Sequence, residues 1–201
     1  MRLRPKRVAA AAALLLAGAL ALSGCSNDPL AEQYRAGDNK GFVAGEFATV
    51  EIAEADRGAP VVFAGTLDDG DPVTSDDYAG DVLVVNFWYA QCGPCRAEAS
   101  RLEAAYQQFA GQDVAFLGIN TYDQPETSRA FAADFGVTYP SVIAVDDGSV
   151  KLAFAAATPV NATPTTLVVD RQGRVAARII GELPDPSILT TLVRDTLAEG
   201  S

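Results

Sequence analysis

The run Val82–Trp88 constrains the fold of this chain more than any other segment. It reads Val-Leu-Val-Val-Asn-Phe-Trp, apolar at six of its seven positions and rich in β-branched residues. A strand with one wet face would alternate apolar and polar residues, so this run predicts a strand buried on both faces. Such a strand needs a covering layer on either side, which points to an α/β arrangement with helices above and below a sheet. Cys92-Gly93-Pro94-Cys95 follows almost at once, and then a helix predicted over 95–110. In that helix Leu102, Tyr106 and Phe109 form one apolar stripe, with Arg96, Arg101, Glu103 and Gln107 elsewhere.

The position of the two cysteines dictates their chemistry. A Cys at a helix N-terminus faces backbone N–H groups that lack helical partners and the positive end of the helix dipole. Both favour the thiolate, which is the reactive form. The second Cys, one turn in, can close a disulfide on the first. A strand, a CxxC and a helix in this order suit reversible thiol–disulfide exchange.

The chain has three Cys and no His among 201 residues. Without His there is no Ser-His, Cys-His or His–metal mechanism. A tetrahedral zinc site takes four ligands, usually Cys or His, which this chain does not supply. No metal or cofactor is expected beyond the dithiol itself. The apolar fraction of 49% supports a packed core. Residues 1–24 contain Arg2, Arg4, Lys6 and Arg7 and no acid, so the remainder carries 11 basic against 26 acidic residues, a net charge of −15. A domain so acidic is a poor ligand for nucleic acid and for anionic lipid headgroups.

The N-terminus reads as an address. Met1–Arg7 is basic, Val8–Leu22 is an Ala/Leu stretch of 15 residues, and Leu22-Ser23-Gly24-Cys25 precedes a polar segment. Spanning a bilayer takes roughly 20 apolar residues, so the stretch suits a signal-peptide core instead. The segment resembles a bacterial lipobox. Residues 1–24 would then be a lipoprotein signal peptide and Cys25 the acylated first residue of the mature chain. Acyl chains give stable anchoring without a spanning helix. Only Cys92 and Cys95 would remain free in an oxidising compartment. Residues 25–44 are expected to be a lipid-anchored tether and 45–201 the globular domain. The wider stretch 26–60 lacks sustained periodicity, apart from a short strand near 48–52.

Further along, 61–67 predicts an edge strand and Asp68-Asp69-Gly70-Asp71-Pro72 a turn. A second buried strand is expected at 114–120 and a helix from Pro125 to Gly136. A strand at 141–145 follows, then a hairpin of 165–169 with 174–180 around Arg171-Gln172-Gly173. A last helix starts at Asp185-Pro186, with Ile188, Leu189, Leu192, Val193 and Leu197 inward. The β-α-β-α then β-β-α order implies a mixed central sheet with helices on both faces. Asn161-Ala162-Thr163-Pro164 places a proline just before a core strand, where it removes a ladder donor and can adopt the cis form.

With these elements assembled, the chain resembles thioredoxin-fold proteins. More narrowly, it resembles membrane-anchored thiol–disulfide oxidoreductases of the TlpA/ResA type. The supports are Val-Val-Asn-Phe-Trp before Cys-Gly-Pro-Cys, Arg-Ala-Glu after it, Gly-Ile-Asn-Thr at 118–121 and Gly-Val-Thr-Tyr-Pro at 136–140. Ala-Thr-Pro-Thr-Thr-Leu-Val-Val-Asp-Arg-Gln-Gly at 162–173 completes the set.

The resemblance implies that Cys92 is the exposed nucleophile and Cys95 the buried resolving thiol. It places Trp88, Gly93, Pro94, Thr163 and Pro164 along the substrate-binding surface, with Pro164 cis. Thr163 would offer its backbone to an extended substrate segment, a form of strand addition. Glu98 matches the acid three residues after the second Cys in this subgroup and is a candidate proton acceptor for Cys95. Asn86 stands where cytosolic thioredoxins carry a buried Asp, and Gln91 replaces their usual Trp. Both departures point to an exported, specialised member.

The implied activity is disulfide reduction in exported thiol proteins such as apocytochrome c, fed by a membrane thiol-reducing protein of the DsbD/CcdA type. The same parts run backward make a disulfide-forming oxidant. A thiol peroxidase is a third reading, but peroxiredoxins place Pro and Thr or Ser seven and three residues before the reactive Cys. Val85 and Tyr89 occupy those positions. A non-enzymatic lipoprotein on the same fold is a fourth, and the intact Cys-Gly-Pro-Cys weighs against it.

Overall fold

In the computed structural model of this chain the doubly buried strand is β4, Val82–Trp88, and all seven of its residues are buried. Residues 48–159 and 161–199 are described; the signal segment 1–24, the tether 25–44 and Cys25 lie outside them. β4 pairs in parallel with β5 (Val114–Asn120) and antiparallel with β7 (Thr165–Val169). The full sheet runs β1-β8-β7-β4-β5-β6, with β1 at Ala48–Glu51, β6 at Ser141–Ile143 and β8 at Val175–Ile180. Helix α1 (Gly93–Gln108) follows β4, α2 (Pro125–Phe135) follows β5, α3 (Ser149–Ala153) follows β6 and α4 (Pro186–Ala198) ends the fold. This is the expected thioredoxin-like α/β architecture.

The pleat explains why β4 is apolar throughout. Its even positions Val82 and Val84 pack with Leu102 and Ala105 of α1 and with Leu189 and Val193 of α4. Its odd positions Leu83, Val85 and Phe87 pack with Phe63, Val150 and Phe154 on the other face. Each such side chain removed from water contributes about 1.5–3 kcal/mol before entropy is counted. Asn86 is the one polar member, and it points to the face of α1.

Two expectations are corrected. Segment 61–67 is not an edge of the central sheet. It supplies β2 (Ala64–Thr66), which pairs with β3 (Pro72–Thr74) in a separate two-stranded ribbon, while Leu67 bridges to Val142. The turn between them is the predicted one, closed by Leu67 N donating to Asp71 O, with Gly70 at φ +99°. Helix α1 begins two residues before its predicted start, because Cys92 is its N-cap and Pro94 fits the first turn. The short strand expected near 48–52 is β1, which pairs with β8, and beyond it Arg57 binds Asp170 (3.0 Å) and Glu199 (2.6 Å). Helix α3 and strand β3 escaped prediction because five and three residues are too few to show a period.

One close approach in the sheet bears on the site. Gly118 of β5 pairs with Asn86 and with Ser141. A Cβ there would sit 2.7 Å from Trp88 Nε1 and closer still to Ser141 Oγ, two atoms that hydrogen-bond each other at 3.3 Å. Gly118→Ala is therefore expected to destabilise the fold by about 1–3 kcal/mol. The check is a lower urea midpoint at unchanged m-value; an unaltered midpoint would show that the indole has room to move.

Candidate functional site

The site lies at the end of the sheet where β4 and β5 finish and β7 begins. Cys92 and Cys95 form a disulfide with Cα atoms 5.2 Å apart. Cys92 caps α1: Cys95 N donates to its Sγ at 3.2 Å and Arg96 N to its carbonyl at 3.1 Å. Sulfur here accepts an orphan helix donor, the interaction that favours a thiolate once the bond is reduced. The loop before Cys92 is held as well, since Ala90 N donates to Asp123 Oδ2 (2.6 Å) and Asn120 Nδ2 donates to the same oxygen (2.9 Å).

The resemblance implies an exposed nucleophile, and the structure differs. Cys92 is 0% exposed and Cys95 is 2% exposed. In the disulfide Cys92 belongs to a buried cluster with Trp88, Tyr89, Ala90 and Phe131. Gly93 is exposed and Pro94 half-buried at the helix start. Trp88 lies in the same cluster with its ring centroid 4.3 Å from that of Phe131. The Thr163–Pro164 peptide is cis, both residues are buried, and Pro164 O accepts from Gly181 N at 2.9 Å.

Glu98 is fully buried. Its Oε1 accepts from Asn86 Nδ2 at 3.0 Å and its Oε2 from Leu183 N at 2.7 Å. Asn86 Nδ2 also donates to Thr166 Oγ1 at 3.1 Å, so β4, β7 and α1 meet at one amide. Burial pushes the Glu98 carboxyl up to about 7, against the opposing pull of the Leu183 N–H and the Asn86 amide. Tyr139 is buried nearby, and burial together with the Glu98 charge raises its hydroxyl. Glu98 lies one turn beyond Cys95, on the same side of α1. A cavity of about 10 Å³ lies between Asn86, Trp88, Cys95, Phe131 and Tyr139. That is the lower bound for a single water.

Of the residues read from sequence, Asn86 and Glu98 are joined by a hydrogen bond, Trp88, Cys92 and Cys95 share one buried cluster, Gly93 and Pro94 open α1, and Thr163 and Pro164 lead into β7. Missed were Thr166, Tyr139 and Leu183. The first two stand within motifs already noted. The third acts through a backbone N–H, which no side-chain pattern signals. Among the described residues no group of three Cys, Asp or Glu is placed to hold a metal ion.

The profile of the AhpC/TSA family matches residues 45–178. The chain belongs to that family. It is 32% identical over 167 residues to the thiol:disulfide interchange protein HelX of Rhodobacter capsulatus, covering 79% of this chain and 90% of HelX. It is 31% identical over 112 residues to the thiol-disulfide oxidoreductase ResA of Geobacillus thermodenitrificans, 56% of this chain and 62% of that one. Among solved structures, a DsbF homologue from Corynebacterium diphtheriae superposes with a TM-score of 0.64 at 27% identity, over 73% of this chain and 92% of the other. This AhpC/TSA member is a thioredoxin-fold thiol–disulfide oxidoreductase with a Cys92–Cys95 redox pair.

The raised carboxyl has a thermodynamic signature. Folded Glu98 holds its proton to about 7 against an ordinary value of 4.5. Between those values the folded state binds more protons than the unfolded state, so the contribution is full below the lower value and is lost as pH rises through the upper one. The loss should amount to about 3 kcal/mol. Urea midpoints measured across that range should fall with rising pH for the parent and not for Glu98→Gln. Parallel curves would show that the carboxyl titrates normally.

Proposed function

We propose that this oxidoreductase is a lipid-anchored extracytoplasmic disulfide reductase for exported thiol proteins such as apocytochrome c, with no cofactor beyond its own dithiol. The observation that carries the mechanism is the buried carboxylate one turn past Cys95, tied to Asn86 and Leu183 N. The reducing direction and the client class rest on the resemblance to the TlpA/ResA type. The anchor rests on Leu22-Ser23-Gly24-Cys25. Among the described residues no helix is long and apolar enough to cross a membrane.

In the reduced protein the Cys92 thiolate attacks one sulfur of a client disulfide. That S–S bond breaks, the other client sulfur leaves as thiolate, and a mixed disulfide forms. Cys95 then loses its proton to Glu98, directly or through water. The Cys95 thiolate attacks the Cys92 sulfur, closes the Cys92–Cys95 bond and releases the second client thiolate. Two electrons pass from dithiol to client, and a membrane thiol-reducing partner returns them. A buried thiol has a raised pKa, so the second step needs a base nearby. Thr163 and Pro164 would align the client segment by strand addition.

Peroxide turnover is disfavoured by the residues before Cys92. Val85 is a fully buried core residue, and Tyr89 pairs edge-on with Tyr122 at 4.9 Å. Neither is the Pro, nor the Thr or Ser, of the peroxidase pattern.

The deciding experiment is the reduction potential of the Cys92/Cys95 couple, equilibrated against glutathione or dithiothreitol. A value near or below about −270 mV supports a reductase, whereas one near about −120 mV makes the protein a disulfide-forming oxidant. In parallel, Cys92→Ser should abolish turnover and Cys95→Ser should accumulate mixed disulfides on non-reducing gels. Failure of Cys95→Ser to trap any partner would reverse the assigned order of attack.

A further inference from the structure

The three residues after β8 touch both halves of the site. Gly181, at φ +94°, donates its N–H to Pro164 O at 2.9 Å. Leu183 donates its N–H to Glu98 Oε2 at 2.7 Å. The Leu183 side chain is fully buried in the α1–α4 face of the core. Residues 181–183 are therefore a strap from the cis-proline edge to the buried acid.

One side chain holds the strap from outside. Arg101 donates through Nη1 to the Leu183 carbonyl, and through Nη1 and Nη2 to Glu182 Oε1, each of the latter at 2.9 Å. It stands one turn beyond Glu98 on α1. A planar fork can grip a carbonyl and a carboxylate together, which a point-like ammonium cannot do in the same way. The carbonyl that Arg101 holds and the N–H that donates to Glu98 belong to one residue, Leu183, on the two peptide units that flank its Cα.

We propose that Arg101 is a positioning residue for the thiol chemistry: by clamping the 181–183 strap it keeps the Leu183 N–H on Glu98, and so sets the pH at which Cys95 loses its proton. The proposal rests on Glu98 as the acceptor of that proton. The groups that face Glu98 are the Asn86 amide from β4, with Thr166 of β7 behind it, and the Tyr139 hydroxyl from the segment before β6. Glu182 and the Leu183 N–H face it from the strap, and Arg101 from its own helix. The Leu183 N–H and the Arg101 charge favour the carboxylate, whereas the Glu182 charge opposes it. Without Arg101 the strap loosens and Glu182 loses its counter-ion. Both changes leave Glu98 protonated to higher pH and unable to take the Cys95 proton.

The test is stopped-flow reaction of the reduced full-length chain with 5,5′-dithiobis(2-nitrobenzoate), in detergent and with Cys25→Ser leaving two thiols. The first thionitrobenzoate released reports attack by Cys92. The second reports attack of Cys95 on the Cys92 mixed disulfide. The ratio of second to first phase is followed against pH. In Arg101→Gln the midpoint of that ratio should move up by about one pH unit. Arg101→Lys, which keeps the charge without the fork, should move it the same way by less, and it carries the test should the Gln variant not fold. A folded variant that loses thermal stability with its midpoint unmoved would overturn the proposal, since a merely structural clamp behaves so. Glu98→Gln separates the two levels. If it leaves the second-phase profile unchanged, the role of Glu98 fails and the clamp with it. If it removes the titration while the Arg101 variants do not shift theirs, only the clamp fails.

Discussion

A carboxylate without access to water holds this molecule's working parts in register. Glu98 joins α1 to β4 through Asn86 and to the strap before α4 through Leu183 N. Burying a charge is costly unless it is hydrogen-bonded, and both oxygens are. The compensation is partial, which is why the group keeps its proton to about 7. An acid of that proton affinity is half-ionised near neutral pH, where a proton acceptor for a thiol is most useful. A carboxyl with ordinary exposure would already be ionised and a much weaker base. Burial therefore tunes the acid at some expense of stability, the usual exchange at a functional site.

The sheet supplies the rest of the geometry. β4 ends at Trp88 beside Asn120 of β5, and β7 starts at Thr165 opposite Phe87. One parallel and one antiparallel neighbour thus bring the cysteine turn and the cis-proline turn to the same edge. The strand that carries Asn86 also carries Trp88 two residues on, so a single pleat aims the polar partner of Glu98 and the aromatic cover of Cys95 at one face. Changes to this strand should be felt in the chemistry as well as in the core.

Much of this was legible in the sequence because it is written in local signals. The apolar run 82–88, the Pro94 turn, the Gly136 stop and the Asp170–Gly173 hairpin each involve residues near in sequence, with preferences that do not depend on the remainder. Pro164 could be placed because a proline before a core strand has few options. The illegible parts are those made by long-range contacts or by backbone atoms. Leu183 reaches Glu98 across 85 positions through an N–H that every residue but proline possesses. Arg101 reads as an ordinary surface cation of α1 until Glu182 is seen beside it. The burial of Cys92 depends on how Trp88, Tyr89 and Phe131 close over the sulfur, which is a matter of packing and not of pattern.

The register of the edge strand sets which end of the domain the preceding chain enters. Ala48, the first residue of β1, pairs with Ile180, and Ile180 pairs with Thr165 next to Pro164. The chain therefore enters the domain at the same end that carries Cys92. Under the lipid anchoring proposed above, the length of the strands would add little to the reach of the thiols, which would come from the chain ahead of β1. With acylation at Cys25 as proposed, residues 26–47 can span at most about 75 Å. On that proposal, a client cysteine held much farther than that from the bilayer surface would lie out of range, however well its sequence fits the site.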